Sequence, residues 1–221
     1  IARRFSPQTP LHLTTRQDVE LHDLPAAQIP ATQQALAAAG LTGFAAAGDT
    51  VRNITVCPCS GIAVGSVDLH PLAQRLDAIL ATEVGIYALP RKFKIALACS
   101  DQCGQPWVND LGLVACAGEG QWGVRVITAG SLGARPGTGM LLFDWLSTVE
   151  ILPLALAAVR VFATDGDRAN RAKARLRHVR ERMGDEVFRE RVETAFMAAK
   201  AERAWDDVLL SPTSSPFPAR A

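Results

Sequence analysis

The segment at residues 89–103, LPRKFKIALACSDQC, limits the possible folds more than any other stretch of the chain. Arg91, Lys92 and Lys94 precede the apolar run Ile-Ala-Leu-Ala, and a C-x3-C pair, Cys99 and Cys103, follows it. A short apolar run of this kind reads as a buried strand, here over residues 93–99. Cations at its entrance place charge at the mouth of a pocket, and thiols at its far end imply a metal or a disulfide. Side chains alternate along a strand, so Lys92 and Lys94 share one face and Arg91 takes the other.

Cys57, Cys59 and Cys116 bring the cysteines to five, and an odd set argues against a secreted disulfide scaffold. The pairs Cys57–Cys59 and Cys99–Cys103 read as ligands of a metal or an iron–sulfur cluster in a reducing, cytoplasmic setting. Incidental thiols and disulfides are the alternatives. Cys116 falls in a predicted strand and is assigned to the core. A net charge of +1 excludes a nucleic-acid footprint spread over the whole surface. The longest apolar region, residues 140–163, is interrupted by Asp144, Glu150 and Pro153, short of the roughly 20 apolar residues of a membrane span. No apolar stretch follows Arg3 and Arg4, so no signal peptide is expected there.

Patterning predicts a strand over residues 11–21 broken by the polar TTRQ, then a helix over 29–41 closed by Gly40, then a short strand over 42–47. Together they make a small β-α-β unit of about the first 50 residues. Val51, Ile54 and Val56 fit a strand, turned by Pro58 and Gly61. Leu69, Leu72, Leu76 and Leu80 recur at helical spacing over residues 69–82. Further strands are expected at 111–117 and 122–128, and helices at 153–164, 168–183 and 185–205, the last capped by Asp185. Between them, AGSLGARPGTG at 129–139 reads as a loop whose bare backbone can approach a ligand.

Three polar patches set cations beside residues that will be buried: TTRQ at 14–17, TVRN at 50–53 and PRKFK at 90–94. A desolvated cation needs a counter-charge, and the simplest common partner is an anionic ligand. VNDLG at 108–112 is a fourth polar patch beside a strand.

In their order and spacing these motifs resemble the siroheme-dependent sulfite and nitrite reductases, specifically one half of their internally duplicated fold. The T-x-R-Q element with a following histidine is Thr14 to Gln17 with His22; G-D-x-x-R-N is Gly48 to Asn53; L-P-R-K-F-K is Leu89 to Lys94. N-D-L-G is Asn109 to Gly112, and a late G-x-R-x-N-R is Gly166 to Arg171. The resemblance spans roughly residues 8–200 and implies an α+β fold. A small ferredoxin-like β-α-β half-domain (1–50) precedes a larger mixed α/β siroheme and iron–sulfur domain (51–206) with C-terminal helices, and residues 207–221 form a disordered tail.

The resemblance also implies chemistry. A siroheme, bearing eight carboxylates, would stack against a 4Fe-4S cluster, and sulfite or nitrite would bind within a cage of Arg16, Arg52, Lys92 and Lys94. Gln17, His22, Asn53, Arg91, Asn109 and Gly130 would contact the cofactor, and Cys57, Cys59, Cys99 and Cys103 would hold the cluster. The family has C-x5-C where this chain has C-P-C, and its LPRKFK half usually lacks cluster cysteines, so the chain combines features of both halves. Lysine at position 94 is similar to the sulfite-type members, whereas plant-type nitrite reductases tend to have asparagine. No flavin or nicotinamide motif is present, so an external electron-donor protein is expected, and a partner chain or second copy would supply the missing half. The alternatives are a precorrin-3B-synthase-like enzyme of the cobalamin pathway and a non-catalytic half subunit.

Overall fold

The computed structural model describes residues 1–63, 65–118, 120–133 and 135–213. The chain divides into two compact units, Ile1–Ala47 and a second starting at Gly48. Among the described residues no helix is long and apolar enough to cross a membrane.

In the first unit a short helix, α1 (Ala2–Phe5), precedes an antiparallel hairpin of β1 (His12–Leu13) and β2 (Val19–Glu20), paired His12 to Glu20 and Leu13 to Val19. The TTRQD segment is the hairpin turn. Thr14 Oγ1 accepts the Arg16 and Asp18 N–H groups at 3.2 and 3.1 Å, and Gln17 takes a left-handed φ of 62°. Helix α2 (Ile29–Ala38) carries Pro30 in its first turn, where no intrahelical donor is lost. Gly40, at φ 72°, closes it as expected: the Leu41 N–H reaches the Leu36 carbonyl at 2.9 Å and the Gly40 N–H the Ala37 carbonyl at 3.0 Å, satisfying carbonyls the helix leaves open. The strand expected at 42–47 is absent. Ala45 and Gly48 take positive φ there and Phe44 is exposed, so the segment turns instead of pairing.

The second unit is built on a five-stranded sheet in the order β3 (Thr55–Val56), β4 (Ile95–Ala98), β5 (Leu111–Gly118), β6 (Gln121–Thr128) and β7 (Met140–Ser147). The first three strands run parallel and the last two are antiparallel additions. Parallel strands need a crossover, and α3 (His70–Ala81) supplies it by burying Leu72, Leu76 and Leu80 along one stripe. Helix α4 (Ile151–Asp165) is almost wholly buried, with Phe162 against Phe93 at 5.8 Å between ring centroids. Two further helices, α5 (Leu176–Met183) and α6 (Asp185–Ala201), follow.

Strand β7 lies inside the region read from sequence only as apolar. Met140, Leu142 and Leu146 are buried while Leu141 and Phe143 also pack, so its two-sided apolar pattern hides the strand period. The predicted α-helix at 168–183 begins only at Leu176; before it residues 166–175 form bends and one short 3-10 turn, Arg171–Lys173, with Asp167 Oδ1 accepting the N–H groups of Ala169 and Asn170. Asp185 is not the cap of α6. Gly184, at φ 85°, takes that place, and the Asp185 carboxylate accepts Arg180 Nε and Nη2 at 2.7 and 2.8 Å. The tail expectation also needs correction at residues 207–213. Val208 and Leu210 are buried, Pro212 bridges to Val67, and the Thr213 N–H donates to Ser66 at 2.7 Å. Apolar side chains find core contacts there that composition alone does not reveal; residues 214–221 lie outside the described residues.

Candidate cofactor and anion site

One strand pairing sorts the chemistry of the second unit. Thr55 pairs with Ala96 and Val56 with Leu97, and one residue out of that register Val51 bridges to Phe93. Because the pairing is parallel, Arg52 lies beside the lysines where the strands enter, and Cys57 lies beside Cys99 where they leave.

At the entering end, the Arg52 N–H donates to the Phe93 carbonyl at 2.8 Å and the Phe93 N–H to Thr50 at 2.9 Å. The Arg52 guanidinium folds back onto the Gly48 carbonyl at 2.9 Å. Lys92 and Lys94 flank Phe93, which is fully buried, so each carries its ammonium on a stem anchored by a core residue. The Lys94 N–H donates to Asp110 Oδ2 at 2.8 Å. Asp110 is itself gripped by Arg175 through Nη2 at 2.7 Å and Nε at 3.3 Å. Complete burial pushes the Asp110 carboxyl up, with Arg175 the main opposing pull. Removing one member of such a buried pair costs about 3–5 kcal/mol.

A cavity of about 1240 Å³ opens here. Arg91 and Lys92 line it from the strand entrance, Arg135 from the glycine loop, and Arg171, Lys173, Arg175, Arg177 and Arg182 from the late segment, against two acids, Asp167 and Glu181. Among the described residues, ion pairs occupy Arg171 (Asp49, 2.9 Å), Arg175 and Arg177 (Glu181, 2.5 Å), but none occupies Arg91, Lys92, Arg135 or Lys173. Positive potential shows at His178, whose pKa is held below the ordinary range by burial first and then by Arg177. Arg177 also binds the glycine loop, donating to Ser131 Oγ at 3.0 Å and to the Arg135 carbonyl at 2.8 Å. Gly137 has no room for a β-carbon there, since Arg177 Cδ would lie 2.5 Å from it.

At the leaving end all four paired thiols are free. The Cys99 N–H donates to Cys57 Sγ at 3.3 Å, and the thiols hydrogen-bond in a chain, Cys99 to Cys57 to Cys103 to Cys59. Burial raises the Cys57 thiol, but hydrogen bonds from Cys103 and Cys99 outweigh it and the net direction is down. Cys99 and Cys103 are pushed up to about 12, by burial first and then by Cys57. Gly104, at φ 70°, lets the loop close onto Cys57, whose Cβ would stand 3.2 Å from an added β-carbon. Tetrahedral zinc, with Zn–S near 2.3 Å, would hold its sulfurs about 3.8 Å apart. Among the described residues no three cysteine sulfurs lie within 4.8 Å of one another. Four thiols gathered in this way are the donor set an iron–sulfur cluster needs, one cysteine for each iron. Cys116 sits on β5, partly exposed, with its Sγ near the Asp144 carbonyl, so it is not the core residue expected.

The other expected residues divide. Arg91 lines the cavity, and Asn53 is exposed next to Arg52. Asn109 is buried, its amide donating to the Gln105 carbonyl at 2.8 Å. Gly130 is needed because a β-carbon would lie 2.2 Å from the Trp107 carbonyl; its three successors in the loop reach toward the cavity, and Ser131 and Leu132 line it. Both residues therefore brace the loop rather than present a contact surface. Arg16, Gln17 and His22 belong to the first unit. There Glu20 Oε2 takes His12 Nδ1 at 2.9 Å and His22 Nε2 at 3.1 Å, fixing His22 on the hairpin.

Sequence reading missed Asp110 and the late cations. The signal for the latter was present, since residues 168–182 hold seven cations and one acid, but a charge run on a predicted helix reads as a solvated face.

Comparison with known proteins supplies the family. The family model for the nitrite and sulphite reductase 4Fe-4S domain matches residues 47–200, and that for the nitrite/sulfite reductase ferredoxin-like half domain matches residues 1–39. An assimilatory ferredoxin-dependent nitrite reductase of Haloferax mediterranei is 33% identical over 204 residues, covering 89% of this chain and 35% of that protein. A ferredoxin–nitrite reductase of Synechococcus elongatus is 32% identical, covering 91% and 41%. The NirA protein of Mycobacterium tuberculosis superposes with a TM-score of 0.79 at 26% identity, covering 94% of this chain and 37% of that one. The chain thus spans about two fifths of the length of these relatives. It belongs to the siroheme-dependent sulfite/nitrite reductase family, whose cofactors are siroheme and a 4Fe-4S cluster.

Proposed function

We propose that this chain forms part of an oxidoreductase that delivers six electrons to a small oxyanion, with nitrite as the first substrate. The observation that carries this reading is the cation-lined cavity and the four-thiol loop at opposite ends of one parallel strand pair. The relatives named above as ferredoxin-dependent nitrite reductases support it.

Each group then has a task. Eight cations against two acids suit a macrocycle with eight carboxylates, and Arg91, Arg135 and Lys173 are ready for its rim. Cys57, Cys59, Cys99 and Cys103 hold the cluster. A siroheme held there would supply the iron for the oxyanion, and a cluster held by the thiols would supply its electrons. Lys92, Lys94 and Arg52 replace the water lost by the anion with charge-assisted hydrogen bonds, each worth roughly 1.5–3 kcal/mol. The lysines also donate protons as N–O bonds break and oxygen leaves as water.

Along β4, Lys94 and Cys99 stand five residues apart, about 16 Å at the rise of a strand. Cage and cluster of one complete site are more easily drawn from two related units, so a partner chain or second copy completes it, and a ferredoxin-type protein supplies electrons. Sulfite is the second reading, favoured by Lys94. The test is an optical spectrum of the purified protein with iron, labile sulfide and extracted macrocycle, followed by nitrite and sulfite turnover with reduced ferredoxin. Macrocycle, cluster and nitrite turnover together are expected. Cluster without macrocycle supports the precorrin-3B-synthase-like reading, and colourless protein the non-catalytic one.

A further inference from the structure

Asp110 has no exposed surface, yet it touches three walls of the cavity. Its Oδ2 accepts the Lys94 N–H at 2.8 Å and Arg175 Nη2 at 2.7 Å, while Oδ1 accepts Arg175 Nε at 3.3 Å. Its backbone carbonyl accepts the Thr128 hydroxyl and the Ala129 N–H, both at 2.9 Å, where the glycine loop begins. The lysine segment, the glycine loop and the arginine-rich segment all line the cavity, and this one residue ties them together.

The geometry at Arg175 matters most. Its Nε and one Nη are held by Asp110, its side chain is 10% exposed, and it lines the cavity. Among the described residues Nη1 has no partner, so half of the guanidinium fork remains for a ligand. An unrestrained arginine gives up rotamer freedom when it binds an anion, whereas one clamped beforehand has already given it up.

We propose that Asp110 is a positioning residue of the anion site, fixing Arg175 and the Lys94 backbone in the arrangement that a bound carboxylate or oxyanion requires. This rests on reading the cavity as the seat of an anionic macrocycle. A purely structural ion pair would set stability but not affinity.

The experiment uses the full chain and sirohydrochlorin, the iron-free macrocycle, with binding followed by quenching of tryptophan fluorescence at a temperature where each variant is folded by circular dichroism. Asp110→Asn keeps an acceptor for the Lys94 N–H but removes the negative charge that clamps Arg175; it should bind about tenfold more weakly, the scale of one charge-assisted hydrogen bond. Wild-type affinity in Asp110→Asn, whatever its melting midpoint, overturns the inference alone. No binding by the wild type overturns the macrocycle reading and this inference with it. Should Asp110→Asn not fold, Asp110→Asn/Arg175→Gln, which removes the unpaired buried cation, is compared with Arg175→Gln. Affinities within about twofold show that Asp110 acts through Arg175, and additive losses overturn the proposal.

Discussion

The two ends of the β3–β4 pair are built from like-with-like neighbours, cations beside cations and thiols beside thiols, but they are held in different ways. Cations repel, so each is fixed by its own support: Arg52 by the Gly48 carbonyl, Arg175 by Asp110, Arg171 by Asp49 and Arg177 by Glu181. Five cavity cations, Arg91, Lys92, Arg135, Lys173 and Arg182, have no such carboxylate among the described residues, which is the charge left for a ligand. Thiols can crowd because protons are shared: Cys57 is shifted towards thiolate while Cys99 and Cys103 stay neutral and donate to it. One end is preorganised by rigid supports, the other by mutual contact, and the two should fail differently.

The largest effect is expected at the hub of the thiol chain. Cys57→Ser should remove most cluster iron and labile sulfide, and turnover with them, while leaving sirohydrochlorin binding at the cation end within about threefold of wild type, since sites without shared partners act independently. Iron analysis beside fluorescence titration checks this, and joint loss would show that the ends are coupled. Next, Lys94→Ala should lower nitrite turnover by about 10- to 100-fold, the value of one charge-assisted hydrogen bond, with cluster content unchanged. A parallel fall in melting midpoint would reassign Lys94 to folding.

Gly104→Ala tests the thiol loop without touching a sulfur. A side chain at φ 70°, pressed against the Leu97 carbonyl at 3.1 Å, should cost roughly 1–2 kcal/mol and lower the melting midpoint by roughly 2–8 °C. Lys94→Asn should shift the nitrite-to-sulfite rate ratio towards nitrite by several-fold, on the order of one lost contact; an unchanged ratio removes the argument for sulfite. The smallest effect concerns His178. Its folded pKa lies below the ordinary value of about 6.5, so the unfolded chain binds the proton first. Stability is therefore full above about pH 6.5 and declines as pH falls towards the folded value, and His178→Gln should flatten that part of the melting-midpoint profile.

Much of this was legible in the chain. Residues 93–99 carry their strand in the alternation of Phe93 and Ile95 with Lys92 and Lys94, and the leucine stripe at 72, 76 and 80 announces α3. Gly40 announces the end of α2. Less legible was β7, apolar on both faces, and the late cations, whose charge run is compatible with an exposed helix. Asp110 gave no sign of its three-way role, because its partners lie 16 and 65 residues away.

By itself, then, the sequence determined which side chains carry chemistry and their spacing from the apolar runs, since period and polarity are local properties. Tertiary structure alone decided that the two runs pair in parallel, gathering cations at one end and sulfurs at the other. It also decided that a buried carboxylate joins three separate segments. Register and burial depend on contacts between residues far apart in the chain, and no local pattern records which distant partner a strand will meet.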